Sequence, residues 1–193
     1  MTGKRLIAAA VLVALAQIGF LGWIIAGRAA ILRDGRQVLL KVEPVDPRDL
    51  LRGDYVRLGY DISRLPADLV ADMPADAAVA EGSRLTVRLK KDDDGYWRPA
   101  AAWLGTPPSP PASAEEADIA GRVAAGWQAS GAATVAADYG IERFYLPEGE
   151  GRAIESDMRV RPFGVRVALG RDGTAQIKAL VDGDRTLFEE PLY

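Results

Sequence analysis

Residues 42–63, VEPVDPRDLLRGDYVRLGYDIS, have strand-like ends and a polar centre. In the second half, apolar side chains alternate with polar or small ones, at Val56, Leu58, Tyr60 and Ile62. This period of two is typical of a strand with one buried face. The preceding segment, 37–44, is rich in valine and leucine and ends at a proline, as strands often do. The stretch therefore predicts two strands joined by a polar turn.

Part of the polar turn has an ordinary structural explanation. Asp46 before Pro47 suits the N-cap and the first position of a helical turn. Gly53 suits its exit, because glycine adopts a left-handed conformation at no steric cost. The capped turn does not account for Arg52 and Asp54, which flank this glycine. They predict either a structural clamp, because guanidinium–carboxylate contacts are strong and geometrically selective, or a surface that binds a partner.

The rest of the chain repeats the strand pattern. Residues 83–90 and 95–104 alternate around an aspartate–glycine turn and predict a hairpin. The other predicted strands cover 118–127, 132–140, 163–170, 173–181 and 185–190. A proline-rich, acidic segment, 105–118, predicts an exposed loop. The predicted fold class is mostly β: a single antiparallel sandwich or barrel-like domain over 34–193, with one short helical segment within 146–159.

The composition excludes several kinds of chemistry. The chain contains neither cysteine nor histidine, which removes cysteine nucleophiles, Ser-His-Asp triads and zinc sites built from these residues. The formal net charge is −3, and no run of lysine or arginine interrupts it, so no nucleic-acid partner is expected. No cofactor or metal is predicted.

Residues 6–26, LIAAAVLVALAQIGFLGWIIA, contain no charged side chain. At about 1.5 Å of rise per residue they span roughly 31 Å, the thickness of the hydrocarbon core of a bilayer. We therefore predict a transmembrane helix over 6–27. A cleaved signal peptide is the alternative, but its apolar core usually runs only about 7–15 residues, and Arg28 spoils the best cleavage position. The short tail, 1–5, is expected to stay in the cytoplasm.

Two blocks of the sequence resemble a known family. Residues 53–60, GDYVRLGY, are similar to the motif that names the GDYXXLXY protein family, and residues 139–151, YGIERFYLPEGEG, resemble its second characteristic block. The resemblance implies a bacterial protein anchored in the inner (cytoplasmic) membrane by one helix, with an extracytoplasmic domain and no established activity. Family members are often encoded with, or joined to, polytopic membrane proteins, which implies such a partner.

The two blocks supply the predicted binding residues. Adjacent residues of a strand point to opposite faces, so Glu142 and Arg143 need partners elsewhere. We expect Arg52 or Arg57 to meet Glu142 or Glu148, so that the two blocks form one surface. The predicted binding residues are Arg52, Asp54, Tyr55, Arg57, Tyr60, Glu142, Arg143 and Glu148.

Two functions are consistent with the sequence. The first is a non-enzymatic accessory protein that binds a polytopic membrane protein through this surface. The second is a hydrolase that acts on an envelope polymer with two carboxylates drawn from Asp46, Asp54, Glu142 and Glu148. Such chemistry needs two carboxyl groups about 5–9.5 Å apart in a cleft, one of them with a raised pKa.

Overall fold

A computed structural model of the chain describes residues 3–43, 55–71, 78–107, 110–128, 134–145 and 163–191. The helix α1 covers Gly3–Asp34. The strands are β1 Arg36–Glu43, β2 Tyr55–Arg57, β3 Gly59–Tyr60, β4 Arg64–Pro66, β5 Ala78–Val79, β6 Arg84–Lys91, β7 Trp97–Leu104, β8 Glu116–Val123, β9 Trp127–Gln128, β10 Thr134–Asp138, β11 Arg143–Tyr145, β12 Gly164–Leu169, β13 Ala175–Asp182 and β14 Arg185–Glu189. Short 3-10 helices cover Asp61–Ser63 and Ala67–Leu69. The helical turns predicted within 46–53 and 146–159 lie outside the described residues.

Two five-stranded antiparallel sheets contain most of the strands. The first has the order β14-β13-β12-β1-β3, and the second has the order β4-β10-β8-β6-β7. The hairpin predicted over 83–104 is β6–β7, and the predicted C-terminal meander is β12–β13–β14. Two short pairs, β2–β11 and β5–β9, lie outside these sheets.

A single core lies between the two sheets. Its side chains come from both, including Leu40 and Val165 from the first sheet and Val87 and Ile119 from the second, all of them fully buried. Burying a side chain of this kind contributes roughly 1.5–3 kcal/mol to folding. The prediction of a mostly β domain with antiparallel sheets, preceded by one apolar helix, is therefore confirmed.

The helix α1 is long and apolar enough to cross a membrane, with 32 residues and a mean hydropathy of 2.2 in its most apolar window. It extends past the predicted end at residue 27 and reaches Asp34. This extension packs on the domain: Leu32 is 2% exposed, and a Cβ atom placed at Gly170, between β12 and β13, would lie 3.3 Å from the Ile31 side chain. The strand β1 begins after one intervening glycine, so the helix enters the sheet without a flexible linker.

The predicted proline-rich loop, 105–118, is fastened to the sheets at its C-terminal end. Arg88 forms two hydrogen bonds with the Asp118 carboxylate, of 2.8 and 2.9 Å, and also donates to a loop carbonyl. Arg36 donates to the Ser113 carbonyl oxygen at 3.0 Å. Because β8 begins at Glu116, the last three residues of the predicted loop belong to a strand. Two arginines from different sheets therefore hold one loop.

The turn between β12 and β13 joins the two sheets. The Ala120 amide of β8 donates to the Gly173 carbonyl at 2.9 Å. Gly173 has φ +80°, and a Cβ atom placed there would lie 2.8 Å from the Ala120 nitrogen. Both the backbone conformation and the close approach therefore require glycine at this position.

We predict that Gly173→Ala destabilises the domain more than Gly95→Ala. Gly95 has φ +85°, so both variants carry the left-handed conformation, which costs about 1–2 kcal/mol. Only position 173 adds a backbone clash, because nothing lies within 4 Å of a Cβ at position 95. Overpacking of this kind costs about 1–3 kcal/mol more. Thermal unfolding of the full chain in detergent, followed by circular dichroism, measures the difference. Equal losses of stability in the two variants would contradict the conclusion that the contact between Gly173 and β8 requires glycine.

Candidate interaction site

The predicted strand over 54–62 is divided between two pairings. Its first part, β2, pairs with β11, whereas β3 pairs with β1 in the first sheet. Leu58 lies between them and is buried, as are Tyr60 and Ile62, so the predicted apolar face is correct at these positions. Ile62 belongs to a 3-10 turn rather than to the strand. The chain therefore changes its pairing partner between β2 and β3, within the first motif block. As a result β2 lies outside the first sheet and pairs with the second motif block.

The structure joins the two motif blocks directly. In the antiparallel β2–β11 pair, Arg57 lies opposite Arg143, and Tyr55 lies opposite Tyr145. The amide of Leu58 adds a further bond to the Glu142 carbonyl at 2.9 Å. Backbone hydrogen bonds thus bring together two segments that are more than eighty residues apart in the sequence.

Two buried tyrosine hydroxyls fasten the blocks in a reciprocal way. Tyr60 of the first block donates to the Ile141 carbonyl at 2.7 Å, and Tyr139 of the second block donates to the Ile62 carbonyl at 2.7 Å. Burial raises the pKa of both hydroxyls well above the usual range, and the nearby Glu142 carboxylate raises them further. Both groups are therefore protonated donors at any physiological pH.

Of the expected pairings of Arg52 or Arg57 with Glu142 or Glu148, only Arg57 with Glu142 lies within the described residues, and these two side chains form no ion pair. Within the described residues the salt bridges lie elsewhere, and Oε1 of Glu142 instead accepts the Tyr139 amide proton at 2.5 Å. This bond closes the short loop between β10 and β11, in which Gly140 has φ +78°. A carboxylate three residues after an open amide satisfies that amide locally, which accounts for the missing Arg57–Glu142 pair, and the pairings that involve Arg52 or Glu148 stay a prediction.

A cleft of about 440 Å³, which we term the motif cleft, lies between the β2–β11 pair and the end of α1. It is lined by Arg28, Arg57, Asp138, Gly140, Ile141, Glu142, Arg143, Phe144, Tyr145, Gln176, Ile177 and Glu190. Three arginines and three carboxylates therefore face it. Arg28 is on α1 and reaches across to β13, where it donates to Gln176 Oε1 at 3.2 and 3.3 Å.

A second cleft, of about 830 Å³, adjoins the motif cleft on the other side of the β10–β11 loop. Both clefts are lined by Asp138, Gly140 and Glu142. Gly173 lines only the second cleft, so the contact between the β12–β13 turn and β8 forms part of the wall of that cleft. The loop of the second motif block is therefore a partition between the two clefts.

The structure separates the predicted binding residues into three groups. Arg57, Glu142 and Arg143 line the motif cleft, as does the neighbouring Tyr145, whose exposed fraction is 70%. Tyr60 is 1% exposed and lies in the core, because its side chain is on the inward face of β3. The predicted residues Arg52, Asp54 and Glu148 lie outside the described residues, and for Tyr55 only the backbone pairing is described.

Sequence reasoning missed the cleft residues that come from other elements. Arg28, Gln176 and Glu190 lie on α1, on β13 and after β14, far from both motif blocks in the sequence. The available signal for Arg28 was its position as the first cation after the apolar segment. Gln176 and Glu190 carry no comparable signal, because only the sheet order brings them to the cleft.

The hydrolase hypothesis gains no support from the described carboxylates. Of its four candidates only Glu142 is described, and one of its oxygens is used by the Tyr139 amide. Asp61 has a pKa raised chiefly by burial, and the described residues offer its Oδ1 no hydrogen-bond donor. However, Asp61 lines neither of the two clefts, so it does not complete a pair of carboxylates at a substrate site.

Comparison with protein families identifies the family of the chain. The chain matches the GDYXXLXY protein family over residues 17–180, which is most of its length, and it belongs to that family. Comparisons with curated proteins and with solved structures give no match. The family identity is therefore established, and the function must be argued from the site.

We predict that Tyr60→Phe and Tyr139→Phe each destabilise the domain by about 1–3 kcal/mol, because each leaves a buried carbonyl without its donor. Tyr96→Phe is the matched control, since its hydroxyl makes no hydrogen bond to the described residues and its ring is only partly buried. Urea unfolding of the full chain in micelles, monitored by tryptophan fluorescence, measures the changes. If the control loses as much stability as the two variants, the hydroxyl bonds do not fasten the blocks.

Proposed function

We propose that this protein is a membrane-anchored extracytoplasmic accessory protein that contacts a polytopic membrane protein through the surface around the motif cleft. In this proposal residues 1–5 are cytoplasmic, α1 spans the inner membrane of a bacterium over 6–27, and the domain over 34–193 lies outside the cytoplasm. The observation that supports the proposal is the close junction between α1 and the sheets, which fixes the position of the cleft relative to the apolar part of the helix.

In this proposal the motif cleft lies at the membrane surface. Arg28 follows the last apolar residue, Ala26, by two positions, or about 3 Å along the helix axis. Its hydrogen bonds to Gln176 set one wall of the cleft at the same height. A multi-spanning protein in the same bilayer exposes its loops at this level, so its loops can reach the cleft without either protein leaving the membrane.

The residues at the rim are types that are enriched at protein interfaces. Tyr145 is largely exposed, and Arg57 and Arg143 flank it on the paired strands. Tyrosine and arginine dominate the energetically important positions of interfaces, because both combine apolar contact area with directional hydrogen bonds. The neighbouring Phe144 is buried, so the support of this rim is part of the core.

The absence of cysteine makes the orientation directly testable. We expect Ala125→Cys, at an exposed position in the domain, to react with a membrane-impermeant maleimide in cells whose outer membrane has been permeabilised. Gly3→Cys, before the apolar segment, is expected to react only after the inner membrane is lysed. The unsubstituted chain is the blank. Labelling of position 3 in intact spheroplasts would reverse the proposed topology.

The partner surface is tested by copurification after mild detergent extraction. We expect Tyr145→Ala and Arg57→Ala to reduce recovery of a polytopic membrane protein about tenfold, which corresponds to the loss of roughly 1.4 kcal/mol at an interface anchor. Arg185→Ala is the matched control, because it removes an exposed arginine that does not line the cleft. Quantitative mass spectrometry measures recovery. An equal yield from all variants would exclude this surface as the contact.

A further inference from the structure

The charges of the motif cleft are arranged for a ligand that carries both signs. Arg57 lies on β2 and lines the cleft, and it forms no ion pair with a described residue. Arg28 reaches the same cleft from α1. An anionic group placed between these two guanidinium groups would accept charge-assisted hydrogen bonds from both, and phosphate oxygens have a suitable geometry for them.

The cleft also offers carboxylates that no described cation neutralises. Asp138 is exposed and Glu190 is half-buried, and neither forms an ion pair within 4.0 Å with a described residue. Glu142 is partly committed, since one oxygen accepts the Tyr139 amide proton. A ligand that carried only negative charge would be repelled by these groups. A cationic group close to the anionic one would satisfy them.

The position of the cleft indicates where such a ligand comes from. Arg28 lies about 3 Å beyond the apolar part of α1, in the layer where lipid phosphates lie. The motif cleft has a volume of about 440 Å³, which is within the range of roughly 300–1,000 Å³ that small-molecule sites occupy. A lipid headgroup at this height can enter the cleft while its acyl chains stay in the bilayer.

We propose that the motif cleft binds the phosphoethanolamine headgroup of a membrane phospholipid. The phosphate contacts the guanidinium groups of Arg28 and Arg57, and the ammonium group donates hydrogen bonds to the carboxylates of Asp138 and Glu190. Ethanolamine is favoured over choline, because a quaternary ammonium has no N–H to donate. It is favoured over glycerol, because that headgroup lacks a cation. This inference rests on the membrane anchor in the proposed function.

The test measures lipid retention by the full chain in mild detergent. Phosphatidylethanolamine, phosphatidylcholine and phosphatidylglycerol with matched acyl chains are added in equal amounts, and native mass spectrometry quantifies the bound lipid. We expect about tenfold more ethanolamine lipid than either competitor. Arg57→Ala is expected to abolish retention, and Arg185→Ala to leave it unchanged. Asp138→Asn with Glu190→Gln is expected to move the preference toward phosphatidylglycerol, because the cations then remain without the acids.

Three results would overturn the inference. They are equal retention of the three lipids, retention that Arg57→Ala leaves intact, and a cleft filled by a segment of a copurified protein instead of lipid. Circular dichroism of each variant excludes unfolding as the cause of a loss. The proposed function fails separately. Release of the chain from membranes by alkaline carbonate would show that it is not anchored there, whereas the assay in detergent micelles would still report on lipid binding in the cleft.

Discussion

The reciprocal hydrogen bonds of Tyr60 and Tyr139 are the constraint on which the site depends. Each hydroxyl crosses from one motif block to a backbone carbonyl of the other, in the buried interior. A buried carbonyl without a donor costs about 1–3 kcal/mol, so the two blocks are much more stable together than apart. The bonds between the two blocks allow β2 to pair with β11 outside the first sheet. Without the β2–β11 pair the motif cleft would have no outer wall.

The junction between α1 and the sheets connects this local arrangement to the apolar helix, which could span a membrane. A flexible linker would let the domain move over a range of heights and orientations above the bilayer. Here Leu32 is buried in the domain, and β1 starts almost directly after the helix. A Cβ at Gly35 would lie 2.3 Å from the Ile31 carbonyl oxygen, so the chain can reverse there only with glycine. The cleft is consequently held at a fixed distance from the apolar part of the helix.

Much of the fold follows from the sequence because its strands alternate clearly and its turns contain glycine. The β6–β7 hairpin and the C-terminal meander were predicted because their partners are neighbours in the chain. The division of the strand over 54–62 was not, since it depends on pairing with residues 143–145, which local periodicity does not report. Alternation did predict that Tyr60 lies on the covered face, but it does not report that the Tyr60 hydroxyl reaches the Ile141 carbonyl, which is 81 residues away in the chain.

The structure also separates the residues that support the site from those that determine what it binds. Leu58 and Tyr60, which the family motif specifies, are buried and hold the frame. Arg57 falls at a position that the motif leaves open, and its side chain faces the cleft. A substitution at position 57 therefore alters the charge of the cleft without removing either tyrosine bond. Because the buried frame and the charge of the cleft are carried by different side chains of one strand segment, the charge of the cleft can change while the fold stays the same.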